Sequence, residues 1–261
     1  MPPRKDNLSV LITRPEPGAS SLASALIPLG LKPIIAPMLK IRALETLRQP
    51  KSFEQGHADA LIFISVPAVQ FGIPGLQEFA LARKRIFAVG PSTAAKIRDM
   101  SGEQETLDLT LPTEGFNSEA LLRLDGLQRP SVVGKKILIV RGRGGREHLA
   151  DELRRRGAEV EYFEVYERVP TSTPLREILA ASGVSAPSIG VVTSVEGLQQ
   201  LGERIVTESL TQLFAMPILA SGARVAREVP TLGFTNPPLI ADNPTQEHII
   251  ASLKRWAMEK L

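Results

Sequence analysis

Residues Ile137 to Arg168, ILIVRGRGGREHLADELRRRGAEVEYFEVYER, lie without a gap on Val10 to Ile41, VLITRPEPGASSLASALIPLGLKPIIAPMLKI, when shifted back by 127 positions. The identities fall where a fold needs them. Leu11/Leu138 and Ile12/Ile139 lie in an apolar run, Arg14/Arg141 follow it, and Gly18/Gly145 occupy the next turn. Leu22/Leu149, Leu26/Leu153 and Gly30/Gly157 then keep a helical spacing and its stop. A strand, a turn, a helix and a second strand are therefore present twice. The period is too long for a solenoid and suits a protein of two lobes. The 261 residues suffice for two cores, each of about 125 residues.

The chain between the repeats follows the same alternation. Leu8 to Thr13, Asp59 to Ser65 and Arg85 to Gly90 are short apolar runs rich in β-branched residues, predicted as buried strands. Ser20 to Leu29 carries apolar residues at helical spacing, Pro67 and Pro91 suit first helical turns, and a further helix begins at Ser118. Lys32 to Leu44 contains Pro33 and Pro37, which favours an extended segment at a sheet edge or between lobes. In the second half Ser194 falls on Ser65, Ile218 to Gly222 falls on Phe87 to Pro91, and Glu247 to Ile250 falls on Glu119 to Leu122. Strands and helices alternating at this pace predict parallel, doubly wound sheets.

Composition removes several kinds of chemistry. With 31 basic and 28 acidic residues the net charge is only +3, too balanced for a nucleic-acid surface. No cysteine is present, so disulfides, thiol nucleophiles and Cys-ligated metals are excluded. His57, His148 and His248 are scattered without metal-ligand spacing. The longest apolar stretch, Ala60 to Leu76, is cut by Pro67, Gly72, Pro74 and Gly75 and cannot be a membrane helix. The opening MPPRKDNLSV has no apolar block of a secretory signal, so a cytoplasmic protein is expected.

Three kinds of strand-to-helix turn recur in both copies: Arg14-Pro15 with Arg141-Gly142, Ser65 with Thr193-Ser194, and Gly90-Pro91-Ser92-Thr93 with Ser221-Gly222. In a parallel sheet these lie at the carboxyl ends of strands, where ligands bind and helix N-termini offer free N–H groups. Ser and Thr are also favoured helix caps, which accounts for any one turn without a ligand. Recurrence in both copies favours a polyanion, since one anion at a helix N-terminus gains only about 0.3–1 kcal/mol.

The run Gly142 to Arg146 has neither a dinucleotide fingerprint nor the Lys-Ser/Thr of a phosphate loop. It reads as a flexible turn bringing Arg141 and backbone N–H groups near a ligand. Arg154-Arg155-Arg156 closes a helix and reads as a solvated face, with no interleaved aromatics for nucleic acid. Tyr166 is one of two tyrosines, and strand alternation puts Tyr162, Glu164 and Tyr166 on one side. Its ring either packs at a lobe junction or presents a proton-donating phenol.

Taken in order, these features resemble the uroporphyrinogen-III synthase family over essentially the whole chain. They are VLITRP at the opening, Ser65 before its Pro-Ala-Val helix start, and AVGPSTA at Ala88 to Ala94. The Arg141 to Arg146 turn, VYERV around Tyr166 and VVTSVEGL at Val191 to Leu198 complete the series. The resemblance implies an α/β protein of two flavodoxin-like lobes, each a doubly wound parallel sheet, joined by a two-stranded extended linker. Lobe 1 would comprise 1–37 and 172–261, lobe 2 would comprise 42–166, and 38–41 and 167–171 would be the linkers. Duplication alone suggests consecutive lobes; only the resemblance implies interleaving, with hinges that let the lobes close on a ligand.

The activity so implied is conversion of hydroxymethylbilane to uroporphyrinogen III, with inversion of the terminal pyrrole ring through a spiro intermediate. The pyrroles themselves stabilise the cation, so neither cofactor nor metal is implied, and the protein mainly holds a conformation. Tyr166 matches the family's tyrosine as proton donor. Arg14, Ser65, Gly90, Ser92, Thr93, Arg141, Gly142, Thr193, Ser194, Ser221, Gly222 and Arg224 are the implied carboxylate binders. Ser221-Gly222-Ala223-Arg224 departs from the Gly-Pro-Ser-Thr type of turn at Gly90 to Thr93, so Arg224 is the alternative carboxylate partner there. The expected partner is a small-molecule polycarboxylate acted on by a monomer, with no nucleic acid and no membrane. The competing reading is a non-catalytic, two-lobed anion-binding regulatory module. A nucleotide-dependent enzyme is disfavoured by the missing phosphate-loop spacing.

Overall fold

The computed structural model of the chain describes residues 8–45, 58–76, 81, 84–102, 107–242 and 245–260. His57 and the opening segment lie outside these residues. Two compact units form: Met1–Lys40 together with Val169–Leu261, and Ile41–Arg168.

In chain order the strands are β1 Ser9–Ile12, β2 Lys32–Ile35, β3 Leu39–Ala43, β4 Ala60–Phe63, β5 Arg85–Ala88, β6 Asp108–Thr110, β7 Lys136–Gly142, β8 Glu159–Pro170, β9 Ile189–Val192, β10 Ile218–Ala220 and β11 Leu239–Ile240. The helices that matter below are α1 Gly18–Leu26, α2 Val66–Gly72, α3 Pro91–Ser101, α4 Ser118–Leu121, α5 His148–Arg155, α6 Val195–Thr207 and α7 Ala223–Glu228. Pro28 closes α1 into a short 3-10 turn, and Gly30 follows in the left-handed conformation, φ 73°.

The first unit's sheet has the order β11-β10-β9-β1-β2, every pairing parallel. Counted along the unit this is 2-1-3-4-5, the flavodoxin-like arrangement. β2 is the edge strand, where Pro33 is tolerated. Leu11, Val192, Ile218 and Ala220 enter one apolar layer, while Val10, Ile12, Ile189, Val191 and Leu219 enter the other. Strands buried on both faces explain the continuous apolar runs in the sequence.

The second unit's sheet runs β3-β8-β7-β4-β5-β6. Its β7 and β8 occupy the places of β1 and β2, and β4 to β6 those of β9 to β11, with β7–β8, β4–β7, β4–β5 and β5–β6 again parallel. Each sheet is thus completed by strands of the other repeat. β1 aligns Val10 with Ile189, and β7 aligns Ile137 with Ala60. No helix among the described residues is long and apolar enough to cross a membrane.

Two expectations change. Pairing of β7 with β8 slips between Arg141↔Glu164 and Gly142↔Tyr166, so Val165 is an extra residue, a bulge. Tyr162 therefore packs on the layer of Ile62 and Ile139, whereas Tyr166 joins Phe63, Val140, Phe163 and Val165 on the opposite layer. Arg156 also leaves the solvated face expected for its run. Its Nη1 donates to the carbonyls of Leu122 and Leu127 at 2.8 and 2.7 Å, and its Nε donates to Glu152 at 2.8 Å. The reason is that Arg156 sits at the C-cap of α5, beside the turns that follow α4, whose carbonyls need donors from outside the helix; Gln128 Nε2 also donates to Leu122.

Candidate functional site

In the second unit the carboxyl ends of β4, β5, β7 and β8 gather several of the expected residues. Ser65 is the N-cap of α2, its Oγ accepting from the Ala68 N–H at 3.1 Å. The same Oγ lies 3.1 Å from the Tyr166 hydroxyl. The bulge turns Tyr166 inward until it is 1% exposed. Its ring meets Phe71 at 6.5 Å and the Arg168 guanidinium at 5.7 Å, and Arg168 Nη2 donates to its hydroxyl at 3.5 Å. A Cβ on Gly142 would stand 2.5 Å from Tyr166 Cε2, so the glycine makes room for that ring.

Arg141, only 3% exposed, is committed to its own turn. It pairs with Glu147 at 3.0 Å, donates from Nε to the Gly142 carbonyl and from Nη2 to the Gly144 carbonyl, and stacks 4.5 Å over Tyr162. The Tyr162 hydroxyl donates to the other Glu147 oxygen. That hydrogen bond, and then Arg141, hold the Glu147 carboxyl below the ordinary carboxylate range against the opposing effect of desolvation. Burial, reinforced by the Glu147 contact, pushes the Tyr162 phenol up. The turn read as flexible is thus tied at its centre.

Gly90 is the N-cap of α3, with Phe116 packed where its Cβ would be, at 3.0 Å. No side chain caps this helix, so its first N–H groups are free of that competition. Ser92 is exposed and Thr93 is buried.

In the first unit Ser194 caps α6, accepting from the Gly197 N–H at 3.1 Å. Ser221 is buried and donates to the Thr193 carbonyl at 3.1 Å. Gly222 caps α7 and would have no neighbour within 4 Å of an added Cβ, and Arg224 is exposed. Arg14 follows β1 by two residues, with its guanidinium folded over Gly18, whose Cβ would lie 2.5 Å from Arg14 Nε. Phe71, Phe116 and Glu147 also serve these groups and were not singled out from sequence. Gly18 was read only as the partner of Gly145 in the duplication, just as Arg14 pairs with Arg141, and Tyr162 only as a strand neighbour of Tyr166.

A family profile described as "Uroporphyrinogen-III synthase HemD" matches residues 20–251. The uroporphyrinogen-III synthase of Escherichia coli (strain K12) is 31% identical over 255 residues, covering 95% of this chain and 100% of that one. The enzyme of the same name from Salmonella typhimurium is 32% identical over 260 residues, covering 95% and 100%. Among solved structures, uroporphyrinogen-III synthetase from Helicobacter pylori 26695 superposes with a TM-score of 0.61 at 17% identity, covering 95% of this chain and 99% of that one. A mutant uroporphyrinogen III synthase from the extremely thermophilic bacterium Thermus thermophilus gives 0.57 at 17%, covering 97% and 100%. These two likenesses bear on the fold and agree with the paired parallel sheets.

Proposed function

The chain belongs to the uroporphyrinogen-III synthase family, and from that premise we propose that it cyclises hydroxymethylbilane to uroporphyrinogen III. Loss of the terminal hydroxyl as water leaves an azafulvene. The substituted α-carbon of the last pyrrole attacks it to form a spiro intermediate, which fragments and recloses with that ring inverted. The regulatory-module reading is not favoured, because the curated relatives matched over their full length are synthases.

The observation that carries the residue assignment is the buried Tyr166 hydroxyl, held 3.1 Å from the Ser65 cap. In this reading Tyr166 gives the proton that turns the departing hydroxyl into water. Ser65 fixes the phenol's direction, and Gly142 admits its ring. Arg141, consumed by Glu147 and two carbonyls, positions the turn that carries Gly142. Backbone N–H groups at Gly90, Ser92 and Thr93 take acetate or propionate arms in the second unit. Thr193, Ser194, Ser221, Gly222 and the exposed Arg224 do so in the first. The enzyme works as a cytoplasmic monomer on a small-molecule substrate, with no nucleic-acid partner.

The test is incubation with fresh hydroxymethylbilane followed by separation of the isomers. Closure without the enzyme gives the uninverted isomer, so obtaining only that product ends the proposal. Tyr166→Phe is expected to lose about tenfold or more in rate with folding intact; unchanged turnover removes its role as acid.

A further inference from the structure

The duplication places two guanidinium groups in equivalent turns, and their surroundings differ in one decisive respect. Arg141 folds back towards Gly145, and Arg14 folds back towards Gly18; a Cβ on either glycine would press on its guanidinium, at 3.0 and 2.5 Å. In the second copy Arg141 then finds the Glu147 carboxylate, the Gly144 carbonyl and the face of Tyr162. In the first copy Ser20 stands at the Glu147 position and Ile35 at the Tyr162 position. The carboxylate and the aromatic face are gone, and the arginine is kept.

The nearest acid does not substitute for them. Glu16 accepts from the Ser20 N–H at 3.0 Å and from the Ser20 hydroxyl at 2.7 Å, which uses both of its oxygens on the first turn of α1. Arg14 Nη1 is consequently the buried side-chain nitrogen or oxygen that lacks a hydrogen-bond partner among the described residues. Desolvation lowers the Arg14 pKa, with the Glu16 charge opposing. The guanidinium also lies over the start of a helix, where a cation is disfavoured. Arg14 as a whole is half-buried, but a buried guanidinium N–H with no acceptor is a standing destabilisation, and such groups persist where a ligand supplies the missing acceptor.

We infer that Arg14, seated over Gly18, is a second guanidinium of the first unit, in addition to Arg224, that takes a carboxylate arm of the substrate, which then stands where Glu147 stands for Arg141. The inference rests on the synthase reading and deepens it. It also assigns Gly18 a binding role, since any side chain there would displace the guanidinium.

The consequence has two signs, which separates a binding arginine from a structural one. Arg14→Gln should raise KM for hydroxymethylbilane about 10- to 100-fold, the worth of a charged hydrogen bond. The same change should leave the Tm of the ligand-free protein unchanged or higher, because it removes an unpaired charge. Ser20→Glu restores the carboxylate of the second copy, so it should raise KM in the parent and leave KM unaltered in the Arg14→Gln background. A KM within about threefold of the parent in Arg14→Gln overturns the inference, as does a ligand-free Tm lowered by more than about 4 °C. A parent chain that yields only the uninverted isomer would instead refute the synthase reading, while a parent that inverts the ring with KM indifferent to Arg14 refutes this inference alone.

Discussion

Gly142→Ala perturbs the Tyr166 ring without touching its chemistry. Gly142 does not adopt a positive φ, so alanine meets no backbone penalty and the effect is steric. The added Cβ would lie 2.5, 2.6 and 3.0 Å from Tyr166 Cε2, Cζ and Cδ2. Ordinary carbon contacts need about 3.5–4.0 Å, so ring and methyl must separate by roughly 1 Å. The ring cannot retreat freely, because Phe63, Val140 and Phe163 fill the same layer and Phe71 packs beside it. Overpacking of this kind costs about 1–3 kcal/mol. A 1 Å retreat also stretches the 3.1 Å contact between Ser65 and Tyr166 beyond hydrogen-bond range. A displacement of that size can lower turnover about 100-fold. We expect kcat for hydroxymethylbilane to fall between about 10- and 100-fold, with a urea midpoint lowered by the equivalent of about 1–3 kcal/mol. In the Tyr166→Phe background the same glycine change should add little further loss of rate. Parental kcat in Gly142→Ala would refute the reasoning, since it would mean that the ring's position does not govern the reaction.

Three further changes probe the frame around these groups. Glu147 has its pKa lowered from 4.5 in the fold, so its contribution is present above that value and disappears as pH falls through the lower folded value; Glu147→Gln should flatten the acid limb of a stability–pH curve measured by urea titration. Arg156→Ala takes the guanidinium from the Leu127 carbonyl and from the Leu122 carbonyl, which keeps Gln128 Nε2, and chemical denaturation should register a loss of about 1–3 kcal/mol while kcat at permissive temperature holds. Ser194→Ala removes the cap of α6 and should cost about 1 kcal/mol in unfolding free energy, with a mild change in KM.

Much of the fold is written locally. Leu11 and Ile12, like Leu138 and Ile139, read as doubly buried strands because each is covered on both faces. What pairs with them is not local: β1 meets β9 from the far side of the other unit's strands in the chain, and only the family resemblance suggested it. The bulge at Val165 depends on registration against β7, which alternation along β8 alone does not contain. Arg14 and Arg141 look alike in sequence and differ through residues six and twenty-one positions further on, which become neighbours only when the turn closes and the next strand pairs. Arg156 looked like surface charge because the carbonyls it holds belong to the turns after another helix, about thirty residues earlier in the chain.

The exchange of strands between the two repeats has a meaning for ancestry. A single ancestral copy holding β1-α1-β2 and its own β4 to β6 equivalents could satisfy both sheets by trading the first group with a second identical chain, as exchanged dimers do. Fusing those chains at the Leu124 to Lys135 join would leave the order seen now, β1 and β2 beside β9 to β11 and β7 and β8 beside β4 to β6. Cutting the gene at that join would return two half-proteins, each holding the strands that complete the other's sheet. Neither half is a domain; the heritable unit of folding is the pair.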